Sequence, residues 1–458
     1  AYEITCRDWS SDVCTSDLSA VDPTLQWQSV SRATSYRVQY SSDVNFGTYQ
    51  EYTSATTSRS ITGLSNNTKY YWRVRAENSS TTGPWSAKWN FTTVLATTLL
   101  SSPANGAFSV PVSGTVSWGS VTGAESYDLQ IPTDAGFPSL VVNQTGLSGT
   151  TYDYSGLTNN QLYYWQVRAK NTAGNSGSWS TARTFTTNLA TPNLNSPSNG
   201  SYNFDLSGSV SWNSVTGATL YDLQVATDAG FTNIVNSQSN LNLTTAALSG
   251  LSNNTLYYWR IMAKNGSGNT SLWPSARTFT TKLATPVLSS PANNVLSIPL
   301  SGSVSWGGVA GANTYNVQIA TDAGFTNIIA SQTGLAATSF GYSGLSYNTQ
   351  YYWRVSAHNA SGNSSNISSA LSFTTKLPAP VLTNPADNAK AQPLSITLNW
   401  SPVTGADSYK AKMSANSDMS SPLLNSTGLA VTTTNYSPLL NNTVYYWRVQ
   451  AANAAGNT

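Results

Sequence analysis

Charge is scarce in this sequence. Charged residues make up 9% of the 458 residues, and the formal net charge is +2. An average soluble protein contains about 25% charged residues. The chain therefore lacks a basic field that could hold a phosphate backbone, which argues against nucleic acid as a partner. Its solubility must depend on Ser, Thr, Asn and Gln, a balance that is typical of secreted β-rich proteins.

Histidine and long apolar runs are nearly absent too. Because His358 is the only histidine, no Ser-His-Asp arrangement can recur along the chain, and no Cys/His set has the spacing of a metal site. We expect His358 to be a solvated loop residue. No run of about 18 apolar residues occurs, so we expect no membrane-spanning helix. We predict a protein that is not an enzyme, with no catalytic residue, no cofactor and no metal.

The two cysteines, Cys6 and Cys14, belong to an unusual leader. Residues 7–18 read RDWSSDVCTSDL and resemble the translation of a sequencing-adapter oligonucleotide, with one change at Thr15. We therefore interpret residues 1–18 as non-native and assign no chemistry to the cysteines. The chain has neither an initiator Met nor a signal peptide, and we expect the natural protein to be longer.

Aromatic residues are abundant, and they recur at a fixed period. The triplet Tyr-Tyr-Trp ends at Trp72, Trp165, Trp259, Trp353 and Trp447, with spacings of 93, 94, 94 and 94 residues. A second tryptophan series and a tyrosine series share this period: Trp118, Trp212, Trp306 and Trp400, and Tyr127, Tyr221, Tyr315 and Tyr409. Three markers in one register indicate a tandem repeat.

The repeat predicts about five modules. Their boundaries follow the recurring LATP and FTT segments and give 19–94, 95–188, 189–282, 283–376 and 377–458. We expect the first module to lack its opening strand and the last to lack its closing strand. Within a repeat, apolar and polar residues alternate, as in Tyr315, Val317 and Ile319, and Gly and Asn clusters separate the alternating runs. Short strands with regular turn signals predict an all-β sandwich.

The segment GLSNNTKYYWRVRAEN, residues 63–78, resembles the sixth strand of a fibronectin type III domain. A Leu is followed six residues later by Tyr and then by alternating apolar positions, and the pattern recurs from Leu157, Leu251 and Leu345. The early Trp of the second strand and the closing S-A-x-x-F-T-T are similar to the family too. The YYWRVRA form resembles bacterial members.

This resemblance implies a seven-stranded, two-sheet Greek-key sandwich in each module. In the third module one sheet would direct Val210 and Trp212 inward, and the other would direct five further residues inward: Tyr221, Leu223, Val225, Trp259 and Ile261. Tyr257 would occupy the corner position, with its hydroxyl bonded to nearby backbone.

The junctions between modules are short. The segment 279–286, FTTKLATP, passes from a closing strand to an opening strand with almost no spacer, whereas a flexible tether needs a Gly/Ser-rich stretch. We predict that adjacent modules abut and form a semi-rigid rod. At roughly 3.3 Å per extended residue, five modules would span on the order of 150–200 Å.

Two polar patterns are candidate sites. Asp134, Asp228 and Asp322 recur in T-D-A-G-F, with Asp43 and Asp418 at related places. One carboxylate per loop is too few for calcium, which takes six to eight oxygen ligands, so we interpret these residues as turn-forming. The second pattern is a series of tyrosines on the predicted outer face of one sheet: Tyr71, Tyr164, Tyr258, Tyr352 and Tyr446. They are a candidate contact surface for sugars or for a neighbouring rod. The alternative is that they only pack across strands on a solvated sheet.

Asn-x-Ser/Thr sequons are frequent, and several fall in predicted turns where a glycan would be accessible. The candidates are Asn66, Asn78, Asn143, Asn242, Asn253, Asn265, Asn359, Asn363, Asn425 and Asn441. Composition alone can produce many of these in a chain rich in Asn and Ser. We expect glycans on some of them.

The sequence favours an extracellular or cell-surface structural protein: a subunit of a surface fibre or filament, a stalk or an adhesin. Its expected partners are copies of itself, other surface proteins and glycans. Two alternatives stay open, a polysaccharide-binding array and a spacer within a larger secreted enzyme, because the fold alone does not fix the function. An incomplete terminal module could also accept a strand from a neighbour and polymerise.

Overall fold

The computed structural model describes residues 3–4, 18–19 and 21–458, and all of their regular secondary structure is β. Both cysteines, and the adapter-like segment apart from Leu18, lie outside these residues. Among the described residues there is no helix long and apolar enough to cross a bilayer.

The strands form five sandwiches, which we number in chain order. Sandwich 1 contains β1 (Glu3–Ile4), β2 (Leu18–Ser19), β3 (Thr24–Gln26), β4 (Ser35–Ser41), β5 (Gln50–Ser54), β6 (Ser58–Ser60), β7 (Lys69–Glu77) and β8 (Trp89–Thr93). Sandwich 2 contains β9 (Leu100–Ser102), β10 (Ala107–Val110), β11 (Gly114–Trp118), β12 (Ser126–Pro132), β13 (Leu140–Leu147), β14 (Thr151–Tyr154), β15 (Leu162–Lys170) and β16 (Arg183–Thr187).

The remaining sandwiches follow in the same order. Sandwich 3 contains β17 (Leu194–Ser196), β18 (Ser201–Phe204), β19 (Ser209–Trp212), β20 (Leu220–Ala226), β21 (Ile234–Leu241), β22 (Thr245–Ala247), β23 (Leu256–Lys264) and β24 (Arg277–Thr281). Sandwich 4 contains β25 (Leu288–Ser290), β26 (Val295–Ile298), β27 (Gly302–Trp306), β28 (Thr314–Ala320), β29 (Ile328–Leu335), β30 (Ser339–Tyr342), β31 (Gln350–His358) and β32 (Leu371–Thr375). Sandwich 5 contains β33 (Leu382–Asn384), β34 (Ile396–Trp400), β35 (Ser408–Ser414), β36 (Leu424–Leu429), β37 (Thr433–Tyr436) and β38 (Tyr446–Ala452).

Sandwich 3 shows the topology of a complete unit. A three-stranded sheet in the order β17-β19-β22 faces a five-stranded sheet in the order β18-β24-β23-β20-β21. All pairs are antiparallel except β18 with β24. The opening strand is divided by Pro197 into β17 and β18, one in each sheet. The predicted seven strands therefore appear as eight segments.

Alternation along the strands builds the core. Strand β23 alternates buried and half-buried residues over most of its length, and the five-stranded sheet directs Leu223, Val225, Trp259 and Ile261 inward with 0% exposure. Trp212 meets Tyr221 edge to face at 5.5 Å between ring centroids. The predicted inward residues of the third module are all buried. Burial of each large side chain contributes about 1.5–3 kcal/mol.

A tyrosine corner fixes the turn before each sixth strand. In sandwich 3 the backbone N–H of Ser252 donates to the hydroxyl oxygen of Tyr257 at 2.9 Å, as predicted. The same bond recurs at Tyr70, Tyr163, Tyr351 and Tyr445, over 2.8–3.0 Å.

The terminal sandwiches differ from the inner three. In sandwich 1, β1 and β2 occupy both edge positions, although β1 lies outside the predicted module bounds 19–94. Strand β1 pairs with β3 in parallel whereas β17 pairs with β19 antiparallel. The lack of a first strand within residues 19–94 stays a prediction. In sandwich 5, β38 is the edge of a three-stranded sheet. There Trp447 is only partly buried, whereas Trp353 in sandwich 4 is buried completely.

Candidate functional site

The outer tyrosines lie where alternation predicts. In every sandwich the second Tyr of Tyr-Tyr-Trp lies on the outer face of its sheet, away from the core of the sandwich. Tyr71, Tyr164, Tyr258 and Tyr352 are half-buried, and Tyr446 is 42% exposed. Their use as a contact surface stays a prediction.

Three of the arginines that follow these tyrosines stack on aromatic rings of their own sandwich. The Arg260 guanidinium carbon lies 3.8 Å from the Phe231 ring centroid and 4.5 Å from that of Trp273. Its Nε and Nη2 donate to Gln224 Oε1 at 2.9 and 2.7 Å. Burial lowers the pKa of Arg260. The cation is therefore held within its own sandwich, and such stacking contributes about 0.5–2 kcal/mol.

This stacking was not predicted from the sequence. Arg354 over Phe325 and Arg73 between Phe46 and Trp85 repeat it at 3.8–4.6 Å. The signal was the Phe of T-D-A-G-F, which keeps the period of the arginines.

The recurring aspartates shape their own turns, as predicted. Asp228 accepts the backbone N–H groups of Thr232 and Asn233 at 3.1 and 2.7 Å. Asp322 accepts the equivalent pair at 3.0 and 2.7 Å. These N–H donors lower the pKa of both carboxyls. The described residues contain no group of three His, Cys, Asp or Glu side chains that could hold a metal ion.

His358 is a strand residue and not the loop residue that we expected. It ends β31, where its Nε2 lies 2.9 Å from Asn316 Nδ2 and 3.0 Å from Ser356 Oγ. Two polar neighbours on the same sheet account for its position.

The sequons differ in how accessible their amides are. Four are exposed and make no hydrogen bond through Nδ2 to a described residue: Asn143, Asn242, Asn425 and Asn441. Four others donate from Nδ2: Asn66 to Val94 O, Asn78 to Arg32 O, Asn253 to Lys282 O, and Asn265 to Asn160 Oδ1. Asn359 Nδ2 donates to Asn254 Oδ1 at 3.4 Å. Glycosylation of these nine residues stays a prediction.

Asn363 is a correction among the candidate glycosylation sites. Its side chain is 0% exposed, and Nδ2 donates to Asn254 Oδ1 and to the Thr281 carbonyl at 3.0 and 2.7 Å. A sugar on this nitrogen would displace both bonds and would have no room, because the residue lies in a junction between sandwiches.

At the junctions, backbone hydrogen bonds of the linker residues join neighbouring sandwiches. At the junction of sandwiches 3 and 4, the Lys282 N–H donates to Phe204 O at 3.0 Å, and the Lys282 carbonyl accepts the Asn254 N–H at 2.8 Å. One residue later the Leu283 N–H donates to Ser364 O at 3.0 Å, and the Leu283 side chain is 1% exposed. Consecutive linker residues are thus fixed to opposite sandwiches.

A glycine and an asparagine meet at the same junction. Gly311 has φ of +78°, and a Cβ there would lie 2.1 Å from Asn254 Nδ2. The side chain of Lys282 bridges the two sandwiches through Asp205 and Asn366. The sequence predicted that modules abut but not that Asn254 and Gly311 meet. The sequence signal for this contact was that both residues recur with the repeat. The equivalent pairs are Asn160 with Gly217 and Asn348 with Gly405.

Comparison with known proteins agrees with the fold. Residues 11–92 match the fibronectin type III domain, and residues 122–191 match the Rha78A-like, N-terminal immunoglobulin domain. Fibronectin type III repeats are typically non-catalytic.

Three curated relatives show where similar sequences occur. The chain is 27% identical over 398 residues to fibronectin type III domain-containing protein 7 of Mus musculus, covering 85% of this chain and 49% of the relative. It is 31% identical over 258 residues to endoglucanase B of Cellulomonas fimi, covering 51% and 23%, and 35% identical over 158 residues to chitinase A1 of Niallia circulans, covering 32% and 21%.

The chain therefore spans half or less of the length of these relatives. The two enzymes are matched only through their fibronectin type III linkers. Such domains occur as spacers in cellulases and chitinases and also in adhesion proteins. This chain is an all-β tandem array of fibronectin type III-like and immunoglobulin-like β-sandwiches.

Proposed function

We propose that this protein is an extracellular semi-rigid rod that holds the groups attached to its ends at a fixed separation. The observation that supports this most directly is the engagement of consecutive linker residues, in which Lys282 is bonded to sandwich 3 while Leu283 is bonded to sandwich 4. A linker used in this way has no free length.

Magnitudes favour a fixed junction over a hinge. Burial of a Leu side chain contributes about 1.5–3 kcal/mol. Each linker hydrogen bond adds about 0.5–1.5 kcal/mol. Together the three hydrogen bonds and the buried Leu283 contribute about 3–7 kcal/mol, against the roughly 2–4 kcal/mol that is needed to fix the backbones of the two linker residues. Leu189 and Leu377 are buried at the neighbouring junctions in the same way, so the arrangement would propagate along the chain.

Such a rod would serve as a surface fibre or filament subunit, a stalk or an adhesin, with copies of itself, other surface proteins and glycans as partners. A second candidate, a spacer within a secreted enzyme, is favoured by the endoglucanase and chitinase relatives. The two candidates share the mechanical role and differ in what the rod joins. A polysaccharide-binding array is distinguished from both, because one isolated module would bind polysaccharide with measurable affinity and Tyr258→Ala would abolish the affinity of that module.

Small-angle X-ray scattering of the whole chain tests the rod. We expect a maximum dimension on the order of 150–200 Å and a scattering profile of a stiff particle. Insertion of a Gly-Ser-Gly-Ser segment between Lys282 and Leu283 should broaden the distance distribution. The matched control is the same insertion in the turn between Ser198 and Asn199, which should leave the profile unchanged. A native profile as flexible as that of the linker variant would contradict the proposal.

A further inference from the structure

One asparagine from each of the last three sandwiches is completely buried against the preceding sandwich. Asn269, Asn363 and Asn457 are 0% exposed. Each ends a loop of the form Asn-x-x-Gly-Asn, at residues 265–269, 359–363 and 453–457. Asparagine is seldom fully buried, and a buried amide needs bonding partners.

At the junction of sandwiches 3 and 4, all partners of the buried amide lie in sandwich 3. Asn363 Nδ2 donates to Asn254 Oδ1 at 3.0 Å and to Thr281 O at 2.7 Å. Its Oδ1 accepts the backbone N–H of Asn203 at 3.1 Å. Both donor hydrogens and the carbonyl oxygen of the amide are thereby used.

The same three bonds recur at two other junctions. Asn269 bonds Asn160, Thr187 O and Ser109 N at 2.9, 2.8 and 2.8 Å, and Asn457 bonds Asn348, Thr375 O and Ser297 N at 2.9, 2.8 and 2.8 Å. The contact is therefore a recurring feature of the repeat.

The receiving N–H belongs to an irregular strand. In β18 the pairing with β24 shifts between Ser201 and Phe204, and Asn203 has φ of 61°. A residue at such a bulge is left out of the strand ladder. Its N–H donates instead to the asparagine of the following sandwich. A backbone donor of sandwich 3 is thus satisfied by sandwich 4.

We infer that Asn254, Thr281 O and the Asn203 N–H form a specific docking site for an Asn-x-x-Gly-Asn loop of a further module of this chain. Because the loop always comes from the C-terminal neighbour, sandwiches 2, 3 and 4 depend on the sandwich that follows them. Because a coupling free energy is reciprocal, the contact stabilises the sandwich that carries the loop by the same amount. A rod can be stiff without this contact, so the inference stands apart from the proposed function.

The first junction supplies a natural contrast. Asn175 ends the loop N-T-A-G-N at the same position but is only partly buried. Within the described residues its amide bonds neither Asn67 nor Thr93 O. The first asparagine of this loop, Asn171, still donates to Asn67 at 3.2 Å, as Asn359 does to Asn254. Asn175→Ala is therefore the matched control for Asn363→Ala.

Hydrogen exchange of the full-length chain, measured by mass spectrometry, tests the inference. Asn363→Ala should speed exchange in β18 of sandwich 3 by roughly tenfold to a hundredfold, because an unpaired buried group costs about 1–3 kcal/mol and 1.4 kcal/mol is a factor of ten. Asn175→Ala should leave exchange in sandwich 1 unchanged. Faster exchange confined to loop 359–363 and sandwich 4, with β18 unchanged, would overturn the inference.

A second variant approaches the contact from the receiving side. Asn254 has φ of 47°, a backbone that glycine adopts without strain, so Asn254→Gly removes the amide and keeps the turn. Once Asn363→Ala is present, Asn254→Gly should have little further effect on β18 exchange. Fully additive effects would mean that the two residues do not act together. X-ray scattering of the same variants reports the stiffness of the rod separately.

Discussion

The hydroxyl of Tyr257 offers a sharp test of how each sandwich is stabilised. Tyr257 is 2% exposed, and its oxygen accepts the Ser252 N–H at 2.9 Å. Tyr257→Phe keeps the ring in the core and removes only this acceptor. Leaving a buried N–H without a partner costs about 1–3 kcal/mol. For a unit of about 100 residues, each kcal/mol lowers the melting temperature by about 4–8 °C.

Differential scanning calorimetry of the full chain is the appropriate assay. Five sandwiches need not unfold as one transition, so the expected result is a downward shift in one component of the trace. Tyr258→Phe is the matched control, since Tyr258 is the next residue, lies half-buried on the outer face and loses the same atom. Equal shifts for both variants, or none for Tyr257→Phe, would refute the role of the corner bond.

Three further predictions concern other parts of the chain. Gly311→Ala should destabilise the junction by at least about 1–2 kcal/mol, because alanine is strained in a left-handed backbone and its Cβ would displace Asn254. The control is Gly344→Ala, since Gly344 also has positive φ but no atom lies near its Cβ. Gly311→Ala should therefore lower the melting temperature more than Gly344→Ala. Because backbone N–H groups depress the pKa of Asp228 in the folded state, its stabilising effect should be complete above about pH 4, the unfolded pKa, and should disappear as the pH falls through the folded pKa. A titration of unfolding midpoints should therefore show a weaker acid dependence in Asp228→Asn, and an unchanged dependence would contradict this. The intact mass of the natural protein should exceed the mass of the bare polypeptide by the mass of its glycans. In Asn242→Gln this excess should fall by the mass of one glycan. An intact mass equal to that of the bare polypeptide would disprove glycosylation.

Residues that follow a short period were predictable from the sequence. Alternation placed Trp259 inside and Tyr258 outside because successive side chains of a strand point to opposite faces. The corner role of Tyr257 followed from the resemblance of residues 63–78 and their repeats to the sixth strand of a fibronectin type III domain. The turn role of Asp228 followed from the local chemistry of aspartate, which bonds its own backbone.

Contacts between repeats were beyond this kind of prediction. Asn363 appeared as an exposed sequon because nothing within its own loop indicates that another sandwich covers it. Its partners Asn203 and Thr281 are 160 and 82 residues away, and their meeting depends on how two completed sandwiches abut. Repeated features without an evident role, such as the glycine at Gly311, were the only signal.

The distance between two spin labels on neighbouring sandwiches tests most directly whether the junctions are fixed. Ser237 and Ser331 are exposed, occupy equivalent positions in β21 and β29, and can be labelled as Ser237→Cys and Ser331→Cys after Cys6→Ser and Cys14→Ser. Double electron–electron resonance should give one narrow distance peak, which broadens when a Gly-Ser-Gly-Ser segment is inserted after Lys282. A broad distribution already present without that insertion would contradict the account.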